Sequence, residues 1–141
     1  MLHDEKYLED TSLFWELLAH DPRKTDEEAC GGTKYKFANW IKFSRNGVVL
    51  DAGCGYGRFT IPLASKCELV VALDLSPSML KRLKANIQRY GLTNIDLIRA
   101  DLRYLPFTSK RFDGIICWST IYYIPKRYWK SIIEIFRRSC L

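Results

Sequence analysis

Val48-Val-Leu-Asp-Ala-Gly-Cys-Gly-Tyr-Gly-Arg58 is the stretch that decides the fold. Val48 to Leu50 is a short unbroken apolar run, as expected of a parallel strand covered on both faces. An acid, Asp51, and the glycines 53, 55 and 57 follow at once. Glycine removes Cβ, so the turn can be tight and a ligand can approach the backbone, while free N–H groups at the start of the next helix attract a negative group. The spacing rejects the dinucleotide fingerprint Gly-x-Gly-x-x-Gly: counted from Gly53, the third glycine would fall on Arg58.

Downstream, strands and helices alternate. Phe59 to Lys66 is predicted helical, with Pro62 tolerable only if the first regular turn begins near residue 60 or later. Leu69 to Leu73 is a second buried strand ending at Asp74. Ser76 can cap the next helix, Pro77 suits its first turn, Leu80, Leu83, Ile87 and Tyr90 recur on one face, and Gly91 ends it. Ile95 to Arg99 mixes apolar and charged residues, a composition for a sheet edge. Phe112 to Trp118 is the fourth strand, and Arg127 to Arg138 a last helix with Trp129, Ile132, Ile133 and Phe136 inward. This alternation predicts an α/β layered fold with a parallel sheet and right-handed crossovers, whose ligand sits at the carboxyl ends of the strands.

Upstream of Gly47, residues 10 to 20 read as a helix with Phe14, Leu17 and Leu18 on one face, ended by Asp21-Pro22. Lys34 to Phe43 sets Phe37, Trp40 and Ile41 at helical spacing. The organisation expected is a helical lead over 1–46 that covers the ligand and the α/β domain over 47–141.

Three predicted strand ends carry chemistry. The first is the glycine loop. The second is Asp74, whose carboxylate can accept from both hydroxyls of a ribose. An uncompensated acid ending an apolar run is costly, which favours ligand binding there over mere capping of the Ser76 helix. The third is Asp101-Leu102, able to offer a carboxylate to an amino group and an N–H to a ring nitrogen.

Taken together, Val48 to Arg58, Val71-Ala-Leu-Asp-Leu-Ser76, Arg99-Ala-Asp-Leu102 and Phe112-Asp-Gly-Ile-Ile-Cys-Trp118 resemble, in order, four motifs of the class I S-adenosylmethionine-dependent methyltransferases. The resemblance implies a Rossmann-like parallel sheet with helices on both faces, and methyl transfer that leaves S-adenosylhomocysteine. It also implies roles. Gly53 and Gly55 would pass the methionine moiety, Asp51 would orient that loop, and Asp74 would hold the ribose. Leu75 would pack on adenine, Asp101 would take the exocyclic amine, the Leu102 N–H the ring nitrogen, and the Trp118 backbone would face the methionine amino group. Arg58 would offset the cofactor carboxylate or solvate a helix start. Trp118, Tyr122 and Tyr123 would face the cation or the acceptor, or only pack the loop. No catalytic base is identified, since His3 and His20 lie far from these loops in sequence.

The family's sheet has seven strands in the order 3-2-1-4-5-7-6, and this sequence supplies four. The expectation is a fold truncated after the fourth strand and its helix, with a homodimer or a partner chain as ways to cover the exposed strand. The acceptor, a small molecule or tRNA, is left open. The alternative is a catalytically silent cofactor-binding module. Cys117 reads as a small hydrophobe rather than a covalent nucleophile, because it lacks the Pro-Cys setting of cytosine methylation.

Composition narrows the class. The 141 residues are 48% hydrophobic, enough for one core, and no apolar run approaches a membrane span. The acidic start lacks the order of a secretion signal, so the expected location is cytoplasmic. Five widely spaced cysteines and two histidines give neither a disulfide framework nor a metal-ligand spacing. The net charge of +6 is uneven, because residues 76–141 hold 13 basic and 4 acidic side chains. Such a half can steer RNA. We read no interleaving of aromatic and basic residues there, so solvated helix faces are the expectation.

Overall fold

The computed structural model describes residues 13–20, 46–107 and 109–141. The predicted second helix, Lys34 to Phe43, lies outside them. Four parallel strands, β1 (Val48–Ala52), β2 (Leu69–Asp74), β3 (Ile95–Arg99) and β4 (Gly114–Ile116), form one sheet in the order β3-β2-β1-β4. The mixed strand β3 is at the edge, as its composition required. The helices are α1 (13–19), α2 (Thr60–Ala64), α3 (Pro77–Arg89) and α4 (Trp129–Ser139).

Strand alternation sends apolar side chains to both faces. Leu50, Ala52, Val71 and Leu73 pack with Phe112 and Ile132 on one side, while Val49 and Val70 pack with Phe59 and Leu63 on the other. Ser76 caps α3 by accepting from the Met79 N–H at 3.1 Å, and Gly91 takes a left-handed φ of 62° beyond its end. Pro62 falls in the first turn of α2, where the missing N–H would have had no partner in the helix anyway. No described helix is long and apolar enough to cross a membrane.

Some expectations need correction. The fourth strand is three residues long, short of the expected span at both ends; at its start the Val48 N–H donates to Asp113 Oδ2 at 2.7 Å and the Asp113 N–H to Val48 O at 2.8 Å. The outer flank of β4 is not bare at its start, since Phe112 bridges Cys140 in parallel and the Leu141 N–H donates to Phe112 O. In α4, Ile133 is 56% exposed while Ile132 is fully buried, so the inward stripe is narrower than the periodicity implied. Tyr90, predicted inward on α3, is the C-cap and exposed. Arg82, one of the basic side chains of 76–141 expected as a group to solvate helix faces, instead donates to Ala19 O at 3.1 Å and lies over the Tyr56 ring.

Candidate functional site

Beyond the carboxyl ends of β1, β2 and β3 lies a cavity of about 270 Å³, close to the lower bound for small-molecule sites. Gly53, Gly55, Asp74, Leu75, Asp101, Leu102 and Trp118 all line it, so the structure brings together seven of the eight sequence-predicted residues. The eighth, Asp51, is buried behind this wall and accepts from the Thr60 hydroxyl at 2.6 Å. It ties the end of β1 to the start of α2, across the glycine loop.

The loop's own N–H groups face inward, so any N–H free for a negative group lies further on, at the start of α2. Those of Gly53 and Cys54 donate to Leu73 O at 2.7 and 2.9 Å, that of Gly57 to Cys54 O, and that of Gly55 to Asp74 Oδ2 at 2.8 Å. What the glycines supply is conformation and room. Gly53 has φ +82°, and a Cβ there would overlap the Thr120 side chain. Gly55 has φ +54°, and a Cβ there would stand in open space at the cavity wall.

Asp74 is the hinge of the site. Its second oxygen accepts from the Ser76 N–H at 2.9 Å, so one carboxylate joins the glycine loop to the start of α3. Capping and ligand holding are therefore compatible: each oxygen keeps a lone pair for a further donor. Burial raises the Asp74 pKa, and the N–H bonds from Ser76 and Gly55 only partly oppose it. Burial also pushes Asp51 up to about 6, with the Thr60 hydroxyl opposing and the nearby Asp74 charge adding. Cys54, buried beside both acids, has its thiol pushed well above the usual range, first by burial. Burial likewise lifts Cys117 to about 11, which fits a packing role rather than a nucleophile.

On the opposite wall Asp101 caps the 3₁₀ turn Leu102–Tyr104 and is gripped by Arg103, whose Nη2 donates at 2.7 Å. The sequence pattern does not announce that pairing. Trp118 is 46% exposed and tilts against Phe59. Ser119 follows with φ 58°, a strained conformation for a non-glycine residue, and turns the Thr120 hydroxyl back to donate to Trp118 O and Gly53 O. Tyr123 faces the cavity and meets Trp15 edge-on, whereas Tyr122 points outward against Trp129.

Helix α1 closes the mouth. Trp15 and Leu18 line the cavity, and Glu16 accepts from the Ser76 hydroxyl and from the Ser78 N–H at 3.4 Å. Burial would raise the Glu16 pKa, but these bonds outweigh it and hold the carboxyl below its usual range. Sequence reasoning missed Glu16, Thr120 and also Asn86, which is buried on α3 and donates to Tyr56 O at 3.1 Å. Only Asn86 had a signal: it is a polar residue three positions after Leu83 on the apolar face.

Residues 49–140 match the family described as the methyltransferase domain. Over 64 residues the chain is 38% identical to the 23S rRNA (uracil(1939)-C(5))-methyltransferase RlmD of Aliivibrio fischeri strain MJ11, covering 45% of this chain and 15% of that protein. Among solved structures, phosphoethanolamine N-methyltransferase 1 of Haemonchus contortus, in complex with phosphoethanolamine and S-adenosylhomocysteine, superposes with a TM-score of 0.82 at 19% identity, over 97% of this chain and 30% of that one. TYW2 of M. jannaschii in complex with AdoMet gives 0.61 at 30% identity, over 76% and 46%. The chain thus spans less than half the length of these relatives, and the fold it shares with the solved structures is the Rossmann-like one.

Proposed function

Since this chain belongs to the methyltransferase-domain family over well over half its length, we propose that it binds S-adenosylmethionine in the cavity and transfers the methyl group to an acceptor entering beside Trp118 and Tyr123. The observation that carries this reading is Asp74, held in the wall by the N–H groups of Gly55 and Ser76 with lone pairs to spare. When bound, the cofactor supplies a methyl already activated on a sulfonium.

The residues present fit such a guest. Gly55 leaves open space at the wall, Asp74 would accept from the ribose, Leu75 would pack on the adenine and the Leu102 N–H would meet its ring nitrogen. Asp101, whose oxygens already accept from the Arg103 N–H, Nε and Nη2, would turn its remaining acceptor capacity to the exocyclic amine, and the Trp118 backbone would face the methionine amino group. The buried acids Asp51 and Asp74 give this wall negative character, which suits a cationic ligand. Trp15, Trp118 and Tyr123 add aromatic faces to it. Alignment does most of the catalytic work, because holding donor and acceptor in line is worth effective molarities on the order of 10⁵ M or more. Helix α1 covers the site through Glu16 and Trp15, which fits a covering role for the N-terminal lead.

Calorimetric titration with S-adenosylmethionine and S-adenosylhomocysteine, followed by transfer of labelled methyl into cell extract, tests the reading. Binding with labelled product supports it. Binding without product supports a silent module instead, and no binding of either form overturns both.

A further inference from the structure

The rim of the cavity on the β4 side carries a feature that methyl-donor binding does not use. Tyr122-Tyr-Ile-Pro-Lys-Arg-Tyr-Trp-Lys130 does interleave aromatic and basic residues, against the expectation of plainly solvated cations. In the fold these side chains form a row with the turn Leu102–Tyr104. The Arg103 guanidinium lies 4.8 Å from the centre of the Tyr104 ring and 5.3 Å from that of Tyr128, and the Arg127 guanidinium lies 5.4 Å from Tyr128. Lys126 stands 5.9 Å from Trp129, onto whose ring Tyr122 packs edge-on. Tyr104 and Tyr122 remain 67% and 73% exposed.

Electrostatics sharpens the observation. Lys126 and Arg127 immediately precede α4 and Lys130 lies in its first turn, with no acid there. That end of a helix carries the positive end of its dipole, so cations there work against the fold and acids would favour it. Residues that violate a stability rule mark functional surfaces. Residues 102–141 carry eight basic and two acidic side chains, and one of the two, Glu134, is paired with Arg137. The row is also continuous with the cavity, because Leu102 of the turn Leu102–Tyr104 and Tyr123 of the turn Ile121–Tyr123 line the cavity wall.

Resting on the reading of the cavity as the methyl-donor site, we propose that this row docks a single-stranded nucleic acid and presents one of its nucleotides to the cavity as acceptor. Phosphates meet Lys126, Arg127 and Lys130, and unstacked bases lie on the exposed rings of Tyr104 and Tyr122. Cationic side chains with aromatic platforms are the shared chemistry of such surfaces. A duplex hides its base faces and cannot use the rings, and a sulfated polysaccharide has charge but no rings to stack.

The test is fluorescence anisotropy of labelled single-stranded RNA and DNA oligonucleotides at several salt concentrations, with the matching duplexes and heparin as competitors. The intact chain is used, and S-adenosylhomocysteine binding is measured separately on each variant. Binding of either single strand is expected, with heparin and duplex weaker. Lys126→Glu with Lys130→Glu should weaken it at least tenfold and lower the salt slope by about 1.4, two phosphate contacts at about 0.7 each. These changes place acids at the favourable end of α4, so the fold is not at risk. Tyr104→Ala with Tyr122→Ala should weaken binding roughly tenfold at an unchanged salt slope. Cofactor affinity should stay constant throughout. Heparin competing as well as the oligonucleotide, normal binding by the tyrosine variant, or no binding at all would overturn the proposal. If S-adenosylhomocysteine fails to bind while the tyrosine-dependent oligonucleotide binding persists, the donor reading falls and the docking surface stands.

Discussion

The two walls of the cavity are built on different principles. The β1–β2 wall is internally braced: Asp51, Asp74 and the N–H groups of Gly53, Cys54, Gly55 and Gly57 all have partners within the protein, Asp74 keeping acceptor capacity for a ligand, and the wall is held in shape by the protein's own bonds. The β4 wall consists of short turns, a strained Ser119 and half-exposed aromatics such as Trp118. A pre-formed wall suits an invariant guest, and an open one suits a guest that differs from enzyme to enzyme. The two meet where Thr120 packs against Gly53 and Trp118 against Phe59.

Breaking the contact of Thr120 with Gly53 should have the largest effect. Gly53→Ala combines a left-handed φ, worth about 1–2 kcal/mol, with overlap on Thr120 of about 1–3 kcal/mol. Calorimetry should show cofactor affinity falling roughly 30- to 4000-fold, together with a lower melting temperature. Adding Thr120→Ala should restore part of the loss, because only the overlap is relieved. Gly55→Ala, which meets nothing, should cost only the conformational part. Equal losses at the two glycines would erase the distinction between the walls.

Glu16 tests how far α1 belongs to the pre-formed wall. Its carboxylate joins the helix to Ser76 and Ser78, while Ser76 keeps its own cap bond to Met79. Glu16→Ala should therefore leave α3 intact and weaken the cofactor about fivefold, the order of one charged hydrogen bond discounted for exposure. An unchanged dissociation constant would separate α1 from the site.

The smallest effect concerns pH. Burial raises Asp51 to about 6 in the folded chain, against about 3.9 when unfolded. Its contribution to stability is then complete below about pH 4 and is lost as the pH rises through 6. The amide introduced by Asp51→Asn does not titrate. The melting temperature of that variant, relative to the unaltered protein, should therefore climb by a few degrees, about 3 °C or more, between pH 4 and 7 and then level off. A flat difference would mean that Asp51 is ionised at no cost.

How much of this was legible follows from how local each signal is. The strands β1 to β3 and helix α3 declare themselves in contiguous apolar runs, in Ser76-Pro77 and in Gly91, and the cavity residues follow at their ends. The start of β4 was not legible, since the bonds between Asp113 and Val48 span 65 residues. Glu16 reaches Ser76 across 60 residues and Thr120 reaches Gly53 across 67, so neither shows in a local pattern. The Arg103 grip on Asp101 is only two residues long, yet an Asp-x-Arg spacing specifies no geometry until the turn forms.

Calorimetric titration of S-adenosylmethionine into the intact protein and into Asp74→Ala reads the central claim most directly. The unaltered chain should bind saturably, and the variant, which loses the link between Gly55 and Ser76 along with the ribose acceptor, should bind at least about 150-fold more weakly, two hydrogen bonds to a charged group at the low end of their range. The same dissociation constant for both proteins would contradict it.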